Sequence, residues 1–262
     1  MNDWLHTARL AAEAAGRVHN RWREGVGSVR MEEKSAGDYV SEVDREAQDA
    51  ALDVIRSRHP DHLTLAEEDE GEAEPIGPTP TWIVDPLDGT ANYLHRHPMS
   101  CVSVALAVDG EPVVGFILQP ETSERWWAVA GRGAWKNGRP IHVSAVDRFD
   151  RALVGTGFPF KFREQIPEYV NQLARVLEAS AGARRAGSAA LDLCYLAQGS
   201  IDAFWELVLH PWDFAAGLVI LREAGGVATR LDGSPMSLSA GSWLAANSPA
   251  FHEALGRAVR NE

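Results

Sequence analysis

The chain has 262 residues, 45% of them hydrophobic and 24% charged, which is the composition of a folded globular protein and not of a disordered chain, a collagen-like repeat or a coiled coil. Lys and Arg number 25 against 37 Asp and Glu, a formal charge of −12 that argues against a nucleic-acid-binding face, because phosphate backbones need a basic surface. Cys101 and Cys194 cannot form a disulfide framework, no apolar run reaches the roughly 18 residues of a membrane span, and Met1-Asn2-Asp3-Trp4 lacks the start of a signal peptide, so a soluble cytoplasmic protein is expected.

Trp4, Ala8, Ala11, Ala12, Ala15, Val18 and Trp22 recur every three or four residues and predict a helix over 4–22. A loop follows at Gly25-Val26-Gly27, then a strand over 28–32 and a turn at Lys34-Ser35-Ala36-Gly37. A second helix starts near Ser41 or Asp44, turns Ala47, Ala51, Val54 and Ile55 inward, and ends at His59-Pro60-Asp61. The acidic stretch 67–80 is rich in Gly and Pro and reads as a solvated loop. Strands are expected over 81–85, 100–108, 113–119 and 125–130, with a hairpin signal at Asp109-Gly110 and a tight turn at Asn137-Gly138. A strand over 152–156, helices over 166–179 and 188–198, a strand over 202–207 and a helix over 212–223 stopped by Gly225-Gly226 come next. Strands over 227–231 and 243–246 and a final helix complete the chain. Helices mixed with hairpin-linked strands define a layered α/β (α+β) class. Trp126-Trp127 fits either a subunit interface or the core.

Four segments carry chemistry. In Trp82-Ile83-Val84-Asp85-Pro86-Leu87-Asp88-Gly89-Thr90, a buried strand delivers Asp85, Pro86 bends it, and Asp88 returns three residues later. Two carboxylates held together at a strand end repel unless a cation lies between them, and the Leu87 carbonyl offers another oxygen. Gly89 and Thr90 add backbone N–H groups and a hydroxyl suited to a phosphate. The same residues also read as a strand followed by an Asp-Gly turn, with Asp88 capping a helix. Asp213, in His210-Pro211-Trp212-Asp213, suits a helix cap as well as a ligand. Ala66-Glu67-Glu68-Asp69-Glu70 fits a solvated acidic loop, and Asp38-Tyr39-Val40-Ser41-Glu42-Val43-Asp44 a turn before a capped helix.

Taken together and in this order, the segments resemble the inositol monophosphatase family of Mg2+-dependent phosphatases. Its Gly-Glu-Glu run appears as Ala66-Glu67-Glu68, its long W-x-[IV]-D-P-[IL]-D-G-T-x-[NS]-[FY] box as Trp82 through Tyr93, and its W-D-x-[AS]-[AG]-G helix start as Trp212 through Gly217. Gly187-Ser188-Ala189-Ala190-Leu191-Asp192-Leu193 and Glu223-Ala224-Gly225-Gly226 extend the resemblance over nearly the whole chain.

The resemblance implies a layered αβαβα sandwich, one domain over 1–262 whose lobes, 1–150 and 151–262, share an active site, and assembly as a homodimer. It implies two or three Mg2+ per site, or Mn2+ in their place, held by Glu67, Asp85, Asp88, Asp213 and the Leu87 carbonyl, with Glu68 behind them. Oxygen-only ligands agree with that choice of metal. Glu67, Asp44 and Thr90 would activate and orient a water, while Asp88, Gly89 and Thr90 hold the phosphate. Glu206, Ser188 and Ala189 would contact the alcohol, and Lys34 would sit near the mouth. The expected activity is hydrolysis of inositol 1-phosphate or a similar small polyol or sugar phosphate, sensitive to Li+. Histidinol phosphate and fructose 1,6-bisphosphate are the alternative substrates on the same fold, and a regulatory partner-binding protein is the alternative of another class. The chain departs from the family at His95-Arg96-His97-Pro98, where Arg96 adds a cation that would favour a second anionic group on the substrate or form a surface ion pair.

Overall fold

The computed structural model describes residues 2–24, 31–35, 38–69 and 76–261. The expected loop at Gly25-Val26-Gly27, the start of the 28–32 strand, the Ala36-Gly37 turn, part of the acidic loop and the side chain of Lys34 lie outside the described residues.

In the first half, helix α1 (Asn2–Glu24) is followed by a β1 (Met31–Ser35) and β2 (Asp38–Ser41) ribbon and by α2 (Glu42–Arg58). Ser41 starts α2 by accepting the Val43 N–H, and the Asp44 side chain accepts the Ser41 N–H in return. Strands β3 (Leu63–Ala66), β4 (Thr81–Asp88), β5 (Cys101–Val108), β6 (Glu111–Gln119), β7 (Glu124–Val129), β8 (Ala134–Lys136) and β9 (Arg139–Ile141) follow, with the short helix α3 (Thr90–Leu94) between β4 and β5. They form a seven-stranded sheet in sequence order, β3 parallel to β4 and the remainder antiparallel. Asp109-Gly110 and Asn137-Gly138 make its turns with positive φ at both residues, as two-residue hairpins demand.

The second half supplies β10 (Leu153–Thr156), α4 (Ile166–Ala179), β11 (Gly182–Arg184), α5 (Ala189–Ala197), β12 (Ala203–Leu209), α6 (Pro211–Glu223), β13 (Val227–Thr229), β14 (Gly241–Ala246) and α7 (Pro249–Arg260). Its five strands are ordered β11-β10-β12-β14-β13, with β10 parallel to both neighbours.

Three apolar clusters stack these elements into αβαβα layers. Ala8, Ala11, Ala12 and Ala15 of α1 and Ala47, Ala51 and Ile55 of α2 pack on Val102, Val104 and Leu106 of the large sheet. Leu191 and Leu193 of α5 and Phe214, Leu218 and Ile220 of α6 fill the space between the sheets, against Ile83, Ala105 and Ile117 on one side and Phe204 and Ala245 on the other. Tyr169, Val176, Phe251 and Leu255 place α4 and α7 outside the small sheet. Trp82, Trp126, Trp205 and Trp243 are fully buried, each removing roughly 150–250 Å2 from water. Trp126 donates its indole N–H to Gln198 Oε1 at 2.8 Å, and Trp127 stacks on Trp135 at 5.4 Å between ring centroids. Core and cross-strand packing therefore account for the Trp126-Trp127 pair.

Most expected elements are present within a few residues. The pairing of β3, β8, β9 and β11 was not expected: each has three or four residues, too short for a period to register. The 81–85 strand continues to Asp88 through a break in register between Asp85 and Asp88, where Pro86 has no N–H to give the ladder.

Candidate active site

The chain brings together the ends of β4, β10 and β12 and the first turns of α5 and α6 around a cavity of about 330 Å3. Glu67, Asp85, Leu87, Asp88, Gly89, Thr90, Ser188, Ala189, Glu206 and Asp213, all expected from the sequence, line it. Asp44, Glu68 and Arg96 are not among its lining residues.

Each acid is fixed by a local cause. Asp85 Oδ1 accepts the Leu87 N–H at 3.0 Å, closing a turn across Pro86. Glu67 follows β3, and its N–H bonds the Val84 carbonyl at 3.2 Å, bringing it alongside Asp85. Asp88 Oδ2 accepts Ser188 Oγ–H at 2.6 Å and Ala190 N–H at 2.8 Å at the start of α5. Asp213 Oδ2 accepts the His210 N–H at 2.7 Å. Asp213 is thus a helix cap that also lines the cavity. Ser188 lines the cavity and donates its hydroxyl to Asp88, so it also orients that acid.

Burial, reinforced by Glu67, Asp88 and Asp213, raises the Asp85 pKa well above the carboxylate range. Glu67 is raised by burial and then by Asp213, with Lys161 opposing. Burial also raises Asp88, against the bonds from Ser188 and the α5 backbone. Glu206 and Asp192 are raised by burial first, then by the neighbouring acids. Burial and mutual repulsion thus oppose ionisation throughout the cluster, a cost that a bound cation would offset.

Behind the cavity, Thr90 Oγ1 lies 2.9 Å from Asp44 Oδ1 and 3.1 Å from the Leu87 carbonyl. Asp44 is fully buried, and burial lifts its pKa to about 6 against the bonds from Ser41 and Thr90. Among the described residues, Thr90 links Asp44 to the cavity. Gly89 adopts φ +88°, and a Cβ there would stand 2.7 Å from the Met99 carbonyl, so only glycine lets the chain turn between β4 and α3. Asn92 ties this turn to the α5 approach by donating to Met99 O at 2.7 Å and Ala186 O at 3.0 Å.

Two groups escaped the sequence reading. His19 of α1, 1% exposed, has Nε2 2.9 Å from the Pro86 carbonyl and supports the acid-bearing turn from below, while Tyr93 donates to the His19 carbonyl at 2.7 Å. The Phe158-Pro159-Phe160-Lys161-Phe162 loop after β10, with Arg185 and Asp192, forms the remaining wall. The aromatic run beside Gly157 was a visible signal, but an irregular loop has no period that could aim it.

The acids and the Leu87 carbonyl form an oxygen-only donor set of the kind hard cations prefer. Among the described residues, no group of three or more His, Cys, Asp or Glu side chains stands as a ready-made metal cage, so carbonyl, water and substrate oxygens would complete any shell. Also among the described residues, no helix is long and apolar enough to cross a membrane.

The model of the inositol monophosphatase family matches residues 2–262. An inositol-1-monophosphatase of Synechocystis sp. is 39% identical over 260 residues, covering 99% of this chain and 89% of the relative. The Nus factor SuhB of Pseudomonas aeruginosa is 40% identical, covering 96% and 94% of the two chains. The crystal structure of the extragenic suppressor protein suhB from Bartonella henselae superposes with a TM-score of 0.91 at 36% identity, covering 98% of each chain. Family model, relatives and solved structure agree across essentially the full length, and the chain belongs to the inositol monophosphatase family of phosphoric monoester hydrolases.

Proposed function

We propose that the chain is a Mg2+-dependent phosphomonoesterase acting on inositol 1-phosphate or a similar small polyol phosphate. The observation that carries this reading is the convergence of Glu67, Asp85, Asp88, Asp213 and the Leu87 carbonyl beside Gly89 and Thr90 in one cavity. Such a donor set fits two or three Mg2+, with Mn2+ as a substitute. When bound, Mg2+ supplies an acidified water and charge neutralisation for the phosphate and the leaving oxygen.

The chain's own residues do the rest. Thr90 donates its hydroxyl proton to Asp44 Oδ1, which leaves the Thr90 oxygen free to accept a proton from the attacking water. As the Thr90 oxygen takes up that proton, its own hydroxyl proton passes to Asp44, whose pKa of about 6 keeps it largely ionised, yet basic, at neutral pH. Gly89 and Thr90 N–H groups hold phosphate oxygens, and Glu206 accepts hydroxyls of the alcohol. Asp213 comes from the half of the chain that does not supply the other three acids, so residues 1–150 and 151–262 act as lobes of one domain on one site. The homodimer, the Li+ sensitivity and the cytoplasmic setting belong to the same reading.

The test is phosphate release from inositol 1-phosphate, histidinol phosphate, fructose 1,6-bisphosphate and 3′-phosphoadenosine 5′-phosphate, with Mg2+, with EDTA, and with Mg2+ plus Li+. Release that needs Mg2+, falls with Li+ and is strongest on inositol 1-phosphate is expected. Release unaffected by EDTA would overturn the metal mechanism. A second reading, as a regulatory protein binding a transcription-linked partner, draws on relatives named Nus factor SuhB. An RNA shift assay at physiological salt tests its nucleic-acid form, and the charge of −12 predicts no shift.

A further inference from the structure

Arg185 belongs neither to the acid cluster nor to the Thr90–Asp44 pair, yet it lines the same cavity. Its guanidinium carbon lies 5.2 Å from the Phe158 ring centroid and 5.0 Å from that of Phe160. The two rings meet edge to face at 5.6 Å, and Phe158 rests edge to face on Tyr169 at 5.7 Å. Tyr169 is 3% exposed, so the aromatic mount is rooted in the core of the small sheet. A cation seated on two ring faces keeps its charge and loses little freedom on binding an anion.

The backbone also lies close to it. A Cβ on Gly187 would meet Arg185 Nη1, so the guanidinium lies directly over that glycine. Gly187 adjoins the phosphate end of the cavity: its carbonyl stands 3.2 Å from where a Gly89 Cβ would be. Glu206 and Asp192 feel the Arg185 charge from the alcohol side. Among the described residues, Arg185 is in no hydrogen bond and no ion pair, and it lines the cavity with its five N–H donors unengaged. Arg96, for which the sequence left open a substrate anion or a surface ion pair, is an exposed residue on a turn at φ +58° and is not among the cavity's lining residues.

We propose that Arg185 is a specificity-determining residue that binds a second anionic group, a carboxylate or a second phosphate, carried by the leaving alcohol of the substrate. The proposal rests on the phosphomonoesterase reading above and names which phosphate esters the site prefers. The ester phosphate sits at Asp88, Gly89 and Thr90, the alcohol spans Glu206, and the far anion meets the guanidinium fork. Charge-assisted bonds of this kind change affinity by roughly tenfold to a hundredfold.

The experiment compares kcat/KM for fructose 1,6-bisphosphate and for glycerol 2-phosphate in the wild type, Arg185→Ala and Arg185→Lys. The ratio of the two should fall roughly tenfold or more in Arg185→Ala, through KM for the bisphosphate, with partial recovery in Arg185→Lys, which keeps charge without the fork. The wild-type ratio should also fall with added salt, which a purely structural arginine would not cause. A ratio that stays within about twofold of wild type in Arg185→Ala overturns the proposal, even if both substrates slow together. If the wild type hydrolyses neither ester, inositol 1-phosphate release with Mg2+ decides the phosphomonoesterase reading, and calorimetry decides on Arg185 alone. Fructose 6-phosphate and fructose are then titrated into protein holding Mg2+ and saturating inorganic phosphate. Tighter binding of fructose 6-phosphate that disappears in Arg185→Ala supports the anion site; equal binding by wild type and variant overturns it.

Discussion

Replacing His19 by Gln should change how stability depends on pH. Burial, opposed by the hydrogen bond to Pro86, holds the imidazole down at a pKa of about 4 against an ordinary 6.5. A base with a depressed folded pKa binds fewer protons folded than unfolded. Its contribution is therefore intact above 6.5 and is lost progressively as the pH falls toward 4. Summing the proton binding of both states between pH 7.5 and pH 5.0 gives a loss of ~2 kcal/mol from this one residue. The Gln side chain has no titration in that range and retains an N–H for the Pro86 carbonyl. Urea unfolding with EDTA, followed by tryptophan fluorescence at both pH values, measures the effect. The wild type should lose about 2 kcal/mol more than the variant on acidification, since the other titrating groups cancel in the comparison. Equal losses, within about 0.5 kcal/mol, would refute the claim that His19 is buried as a neutral ring under the acid-bearing turn.

Asp44→Asn should cut kcat by roughly 10²- to 10⁴-fold while the protein stays folded, because the amide oxygen can still accept a bond but cannot take the proton. Wild-type activity should fall as the pH drops through about 6, where Asp44 gains its proton and can no longer accept one from Thr90; a pH–rate profile checks this. Asp85→Asn replaces a carboxyl whose ionisation is opposed by burial and by Glu67, Asp88 and Asp213. It should raise the EDTA-treated melting temperature by about 2–4 °C per kcal/mol relieved and abolish Mg2+-dependent release, and a lower melting temperature would count against the repulsion argument. In Gly115→Ala, the new Cβ would collide with the Ala216 carbonyl and stand 2.9 Å from its Cα, forcing α6 off the large sheet. A loss of about 1–3 kcal/mol in urea unfolding, with weaker Mg2+ binding, is expected.

The layer order and most of the acid cluster were legible because they rest on local signals. Asp85, Pro86 and Asp88 lie within four positions of one strand, and Asp213 sits at a helix start marked by Pro211. What was not legible depends on distance along the chain. Ser188 meets Asp88 across 100 residues and His19 meets Pro86 across 67, and no spacing rule reports such encounters. Glu67 was readable as an acid in a run, but the strand that delivers it has four residues and exists through its pairing with β4. Arg185 could be seen as half of a basic pair, while its direction is set by Phe158 and Phe160.

Helix α6 is enclosed between the two sheets, with Phe214 through Leu221 buried without interruption. A helix gripped on every side cannot tilt to suit a new ligand, so Asp213 holds its place for as long as the domain stays folded. The loop from Phe158 to Phe162 and the turn at Arg185 have solvent on one side and no such constraint. On the reading proposed above, the bond-breaking acid sits on the enclosed helix and Arg185 on the outer wall, so that wall is free to diverge toward other phosphate esters while the interior is left as it is.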